Sequence, residues 1–329
     1  FCSYSISKMR EPCKKEPIPA QFVEIGAMQA GQRIDNYLLS RLKGVPRSLV
    51  YRIVRSGEVR VNKGRIKAGY RLQAGDSVRI PPLRLSEEGA PSQPGGQFLE
   101  RIQSSVLYED DELLILNKPA GIAVHGGSGV SHGVIEALRA LRPEAPFLEL
   151  VHRLDRDTSG CLMIAKQRET LLNLHKLLRE GGVTKHYLAL VKGRWRGKGR
   201  IIDAALRKNL LESGERRVKV SEEGKEAQSV FEPVTLYKEC SLMQIQLMQG
   251  RTHQIRVHAA HAGHPIAGDS KYGDPDFNRY MKGLGLKRMF LHARSVACQL
   301  SSGRKVHVTA PLGEDLQAML KRLDEGRTQ

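Results

Sequence analysis

Apolar positions along the chain switch period several times, and each switch marks an element. Ile34, Tyr37, Leu38 and Leu42 recur at helical spacing. Leu49, Val50, Ile53 and Val54 form a second helical stripe that stops at Gly57, with Gly44 and Pro46 punctuating between the two. Residues 59–61 and 77–80 read as short strands around the turn-rich stretch NKGRIKAGYRLQAGD. LSEEGAPSQPGGQ, residues 85–97, has little to bury and reads as linker. Strand-like and helical runs then alternate from about residue 100 to 325. DELLILNKPAG reads as a buried strand that turns at Pro119 and Gly121, and CLMIAK as another. Leu171, Leu174 and Leu178 make one stripe of a helix that Gly181 stops. KHYLALVKG alternates, placing Tyr187, Ala189 and Val191 on one strand face. Further strands are expected at 229–237, 241–247, 295–300 and 305–309. The order predicts an α+β fold with a large mixed, mostly antiparallel sheet, and no internal repeat is visible.

The expected organisation is a flexible extension over 1–27, a small module over 28–84, a linker over 85–99 and a main domain over 100–325. The opening FCSYSISKMREPCKKEPIPA lacks the apolar core of a secretory signal. Charge changes the picture. Of 329 residues, 53 are Lys or Arg and 35 are Asp or Glu, a net of +18. Such an excess calls for a polyanionic partner. No apolar run approaches the roughly 20 residues that span a bilayer, so nucleic acid is favoured over a membrane. Residues 31–82 hold twelve Lys/Arg against three Asp/Glu, half of the net charge in a sixth of the chain. Both apolar stripes are needed for a core this small. Arg47, Arg52, Arg55, Arg60, Lys63, Arg65 and Lys67 are then left displayed around one helix and the hairpin after it. A merely solvated face would also be basic, but the density favours an RNA surface. The layout resembles the S4 RNA-binding domain. The five cysteines are scattered with no CxxC pair, which fits a reducing cytoplasm. A monomer is the default.

The candidate chemistry sits in LELVHRLDRDTSGCLMIAKQ, where a polar loop, residues 152–160, lies between apolar runs. Asp155 is flanked by His152, Arg153 and Arg156. A surface ion pair and a reactive carboxylate both fit. The second is favoured because the buried runs hold the loop rigidly, and a carboxylate among fixed cations stays ionised as a nucleophile or base requires. HRLD resembles a kinase HRD, but no glycine-rich phosphate loop or DFG accompanies it, and HGGSG is too short for a P-loop. Ser159 is outside a GxSxG context, which weakens a serine hydrolase. GRTHQIRVHAAHAGHPIAGDSKYG offers His253, His258, His261 and His264. Without HExxH or a cysteine partner, polar packing and RNA contact are favoured over a metal site. If residues 252–262 form a short helix stopped by Gly263, Arg251, Ile255 and His258 fall along one stripe with Arg256 beside it. A buried arginine there needs a carboxylate.

HRLDRDTSG, KHYLAL, GRTHQIRVH, GHPIAGDSKYG and NKPAGIAVHGGSG together resemble the RluA-type pseudouridine synthases, over residues 28–325. FNRYMKGLGLKRMFLHA and LVHRLDRDTSG point to the branch that modifies large-subunit ribosomal RNA. The resemblance implies an S4-like domain followed by a pseudouridine synthase domain. It implies isomerisation of specific uridines in 23S ribosomal RNA or its assembly precursor, without cofactor or metal. Asp155 matches the essential aspartate, Tyr187 the tyrosine that stacks on the flipped base and assists proton removal at C5, and Arg256 the arginine paired with the carboxylate. Arg153 matches the residue that fills the space left by the base, beside His152 as a substrate contact, and Leu291 an apolar residue beneath the site. The reaction breaks N1–C1′ and forms C5–C1′, with nothing oxidised. Asp155 could attack C1′, attack C6 or take a proton from C2′, and the sequence leaves these open. A catalytically silent RNA-binding ribosome-assembly factor on the same fold is the competing reading. Intact Asp155, Tyr187 and Arg256 weigh against it.

Overall fold

In the computed structural model, which describes residues 20–27, 29–42, 45, 47–83, 94–126, 132–210 and 216–326, the chain divides into two units, residues 1–92 and 93–329. The first unit holds helices α1 (Ile34–Arg41) and α2 (Arg47–Arg55) and strands β1 (Gln21–Glu24), β2 (Arg60–Val61), β3 (Gly64–Arg65) and β4 (Ser77–Ile80). The strands run in the order β1-β4-β2-β3. Ile34, Leu38, Val50 and Ile53 from the helices share one core with Val61, Val78 and Ile80 from the sheet.

Strand β1 corrects the sequence reading, which placed residues 21–24 in a flexible extension. It pairs antiparallel with β4 along its whole length, from Gln21 opposite Ile80 to Glu24 opposite Ser77. It covers an edge of backbone donors and acceptors, and Ile25 just beyond it is buried in the core. Four residues are too few to declare a period. Residues 1–19 and 84–93, the rest of the extension and most of the linker, lie outside the described residues. Residues 96–99, also read as linker, begin helix α3 (Gly96–Gln103). Phe98, Leu99 and Ile102 give it an apolar stripe against the main core, which its Gly-Gly start conceals.

The second unit continues with β5 (Val106–Glu109), β6 (Leu113–Lys118), α4 (Val134–Leu141), β7 (Glu149–Leu150), β8 (Ser159–Ala165), α5 (Arg168–Glu180), β9 (Val183–Lys192), β10 (Arg200–Asp203), β11 (Leu206–Leu210), β12 (Arg216–Val220), β13 (Gln228–Leu236), β14 (Cys240–Leu247), α6 (Gln254–His261), α7 (Pro275–Gly283), β15 (Leu291–Gln299), β16 (Lys305–Thr309) and α8 (Glu314–Glu325). Ten strands form one sheet in the order β10-β13-β14-β9-β15-β8-β6-β5, with β16 on β15 and β7 on β8, while β11 and β12 pair separately. Every residue of β8 is buried, so its side chains read as a continuous apolar run rather than an alternation.

Pairing in the large sheet is antiparallel except between β8 and β15, which meet over two residues, His292 opposite Ser159 and Ala293 opposite Gly160. Gly160 has φ +110°, and a Cβ there would stand 2.2 Å from the Ala293 carbonyl oxygen. Only glycine permits this approach. Ser159 Oγ lies 2.9 Å from His292 Nδ1, and His292 Nε2 lies 3.1 Å from the Ala310 carbonyl oxygen. A carbonyl only accepts, so Nε2 carries the hydrogen and the Ser159 hydroxyl donates to Nδ1. The pair fastens the junction in the core and is no hydrolytic dyad. Burial pushes His292 down to about 4. The unfolded chain therefore takes up a proton between pH 6.5 and 4 that the folded chain refuses, and stability falls as pH drops through that window. The imbalance amounts to at most about 3 kcal/mol by pH 4. Urea midpoints across pH 4–7 for wild type and His292→Gln check this. The variant is expected to start less stable and to lose less on acidification; equal acid slopes would contradict it.

Candidate active site

The loop that enters β8 is held from below by a buried lysine. Lys118 Nζ donates to the carbonyl oxygens of Pro119 at 2.9 Å, Ile122 at 2.8 Å and Arg156 at 3.0 Å. Burial pushes this amine down to about 7, against the charges of Asp157 and Asp155. Three carbonyl partners use all three ammonium protons, so the charged form is the one that ties the loop. The Thr158 N–H closes the turn onto the Asp155 carbonyl oxygen at 3.1 Å. Within this frame Leu154 is buried, Arg153 is exposed and Asp155 lies between. His152 accepts the Met163 N–H at 3.2 Å through Nε2, and burial pushes it down to about 4. It is a neutral, fixed part of the wall.

Helix α6 brings the partner. Arg256 Nη1 donates to Asp155 Oδ2 at 3.0 Å. Its Nε and Nη2 donate to Asp269 Oδ2 and Oδ1, both at 2.8 Å, as a two-pronged fork. The Asp269 side chain is 1% exposed, against 20% for Asp155. Asp269 also accepts the backbone N–H groups of Lys271 and Tyr272 at 2.9 and 3.1 Å. The two carboxylates thus divide the work: Asp269 fixes the guanidinium, and the guanidinium aims Asp155. Burial opposes the charge on Arg256, but the Asp269 hydrogen bonds and both carboxylates raise it above its ordinary value. Burial likewise opposes the charge on Asp269, and the Arg256 fork holds its carboxyl below the usual range. The guanidinium carbon lies 5.1 Å from the centroid of the Tyr272 ring. The Tyr272 hydroxyl accepts the Val218 N–H at 3.0 Å and lies 2.9 Å from His253 Nδ1, while His253 Nε2 faces Asp155 Oδ2 at 3.8 Å.

Asp155 and Arg256 open onto a cleft of about 290 Å³ whose lining includes Tyr187, Leu291, His152 and Arg153. Tyr187 and Leu291 are both buried. Burial and the charge of Asp155 raise the Tyr187 hydroxyl, so it is a neutral phenol at pH 7. A more polar groove of about 490 Å³ shares Arg153, Asp155 and Arg256 with the cleft and is lined as well by His125, Arg156, Arg217 and Lys271. The six main-domain residues to which the resemblance assigns roles, His152, Arg153, Asp155, Tyr187, Arg256 and Leu291, therefore line one cleft.

The four histidines near α6 have separate tasks. His258 is fully buried between Ser229 Oγ at 3.1 Å and the Ala204 carbonyl oxygen at 3.0 Å. His264 Nδ1 lies 2.8 Å from the Lys192 carbonyl oxygen, and His261 is exposed. Among the described residues no group of three or more His, Cys, Asp or Glu is placed to hold a metal ion. Lys118, Asp269 and Tyr272 were not singled out by sequence reasoning, and His253 was read there only as one of four histidines suited to polar packing or RNA contact. Only Asp269 had a signal there, since a buried arginine demands a carboxylate and GHPIAGDSKYG contains one.

In the first unit Arg52, Arg55, Arg60, Lys63, Arg65 and Lys67 are all exposed, while the Arg47 side chain lies outside the described residues. Asn62 and Lys63 both have positive φ, +50° and +68°, the turn that matches hairpin twist, and it carries Lys63 between Arg60 and Arg65. Two of the acidic groups are turned inward. Asp35 takes Arg33 and the Tyr51 hydroxyl, and Asp76 takes the Asn62 amide, the Tyr70 hydroxyl and the Gln73 N–H. Among the described residues no acidic side chain pairs with Arg52, Arg55, Arg60, Lys63, Arg65 or Lys67.

Residues 112–261 match the RNA pseudouridylate synthase family, and residues 32–78 match the S4 domain. The ribosomal large subunit pseudouridine synthase C of Haemophilus influenzae is 55% identical over 309 residues, 93% of this chain and 96% of that one. Its counterpart in Escherichia coli K12 is 52% identical over 318 residues, 95% and 100% of the two chains. Among solved structures, human RNA pseudouridylate synthase domain containing 1 aligns with a TM-score of 0.54 at 26% identity, covering 63% of this chain and 83% of that one. Human RNA pseudouridylate synthase domain containing 4 shares the fold at a TM-score of 0.58 and 24% identity, covering 69% and 95%. Identity above one half along nearly the whole length of full-size relatives means that the chain belongs to the RNA pseudouridylate synthase family.

Proposed function

We propose that the protein isomerises specific uridines of large-subunit (23S) ribosomal RNA, or of its assembly precursor, to pseudouridine. The observation that carries this is the Asp155 carboxylate, aimed by Arg256 at 3.0 Å into a cleft walled by Tyr187 and Leu291. The target uridine leaves its stack at a cost of a few kcal/mol. Stacking on the Tyr187 ring returns about 1–3 kcal/mol. Arg153 is exposed between the cleft and the polar groove, with no hydrogen-bond partner among the described residues, and takes the space the base vacates. Arg256 occupies Asp155 Oδ2 only. Oδ1 has no hydrogen bond among the described residues and is the oxygen offered to the nucleotide. A neutral phenol is a poor base, so Tyr187 serves chiefly as a stacking platform. The apolar floor at Leu291 keeps water from the detached sugar.

The relatives' names point to the large ribosomal subunit, and the basic face of the first unit supplies phosphate contacts. The same reading has the enzyme act as a monomer in the cytoplasm, without a cofactor. No helix among the described residues is long and apolar enough to cross a membrane. Purified protein incubated with 23S RNA tritiated at uridine C5 is expected to release tritium, one per uridine converted. No release from any large-subunit RNA would overturn the proposal. Converting Arg52, Arg55, Arg60 and Arg65 to Ala is expected to flatten the salt dependence of RNA binding by roughly 3 in the slope of log K against log salt. An unaltered slope would contradict the role of this face.

A further inference from the structure

Lys185 stands apart from the other cations of the cleft. Arg153, Arg179 and Arg251 line its rim and are exposed. Lys185 lines the same cleft but is only 8% exposed. It sits on β9 two residues before Tyr187, so both side chains leave the same face of the strand, about 7 Å apart. Among the described residues it has neither an ion-pair nor a hydrogen-bond partner, and no buried side-chain nitrogen is left unsatisfied. Its stem is therefore buried while the ammonium tip opens into the cleft. A cation kept in such a place without a counter-charge is costly to the fold, and perturbed groups of this kind gather where chemistry needs them. Burial pushes it down to about 8, which leaves it an ammonium at pH 7.

We propose that Lys185 is a further catalytic residue, whose ammonium holds the negative charge on the uracil ring once its bond to the sugar has broken. This rests on the isomerase reading above. When N1–C1′ breaks, the electron pair leaves with the base and spreads over N1, O2 and O4. The sugar is balanced through Asp155, by bonding at C1′ or by loss of the C2′ proton. C5 then bonds to C1′ as the Asp155–C1′ bond breaks or as Asp155 returns the proton to C2′, and the C5 proton passes to water while N1 takes one up. Lys185 forms no covalent bond and keeps its protons throughout. The exposed arginines at the rim serve the RNA backbone, whereas the Lys185 ammonium, opening into the cleft beside the stacking ring, serves the base.

Single-turnover kinetics with excess enzyme test this on RNA carrying uridine or 5-fluorouridine at the target. Fluorine already stabilises the departing anion. Lys185→Met is expected to slow the uridine reaction by about 100-fold, the scale of one lost electrostatic donor, with the RNA Kd unchanged. The deficit should be smaller on 5-fluorouridine, and Lys185→Arg should recover most of the rate. Lys185→Gln covers the case of a variant that fails to fold. Wild-type rates for the neutral variants, a loss that appears in RNA affinity instead, or equal deficits on both bases would overturn the proposal. If wild-type enzyme itself forms no pseudouridine, it is the isomerase reading that fails.

Discussion

Asp155→Asn lowers tritium release from C5-labelled RNA by at least about 10⁴-fold, a barrier increase of roughly 5.5 kcal/mol, while RNA affinity stays within about twofold. The substitution is nearly isosteric. The Asn oxygen still accepts from Arg256 Nη1, so the loop that Lys118 and Thr158 hold keeps its place. What disappears is the charge. Whether the carboxylate attacks C1′, attacks C6 or removes the C2′ proton, a neutral amide performs none of these steps. Unchanged binding is expected because phosphate contacts dominate affinity and none passes through this half-buried carboxylate. Normal turnover by the variant would place the chemistry elsewhere.

Arg256→Met is expected to have two effects that can be separated. It leaves Asp269, 1% exposed, as a buried charge without its guanidinium. Breaking such a pair from one side costs about 3–5 kcal/mol, which lowers the Tm of a domain this size by roughly 10 °C. It also frees Asp155 from its aim, with a rate loss of about 10³-fold, comparable to removing a preorganised electrostatic contact. The double variant Arg256→Met with Asp269→Asn removes the stranded charge and keeps acceptors for the Lys271 and Tyr272 N–H groups. Its Tm should recover most of the loss, and its rate should not. Recovery of both would mean that Arg256 acts only through folding.

Elements with a sustained period were legible in the sequence. Strands β6 and β8 appear as buried runs, β9 as an alternation, and α5 as a leucine stripe ended by Gly181 in the left-handed conformation, φ +78°. Strands β1, β7 and β10 are two to four residues long, too short for either period, and owe their pairing to a neighbour's open edge. The loop bearing Asp155 could be found from its charges between apolar runs. The demand of Arg256 for a carboxylate was equally local. That the demand is met twice, by Asp155 from 101 residues away and by Asp269 from 13, is a property of the folded chain. The Ser159–His292 fastening joins residues 133 apart, and only the parallel junction makes the serine structural rather than nucleophilic. Lys185 reads on paper as one more basic residue of a basic protein. Its burial without a counter-charge is visible only once β9 stands in the cleft wall.

The most direct measurement is a pseudouridine map of large-subunit RNA, by carbodiimide treatment and primer extension, from cells lacking this gene. Specific stops are expected to vanish in the deletion strain, return with the wild-type gene and stay absent with Asp155→Asn. A map unchanged by the deletion, or stops restored by the Asn variant, would contradict a carboxylate at position 155 that carries out the isomerisation.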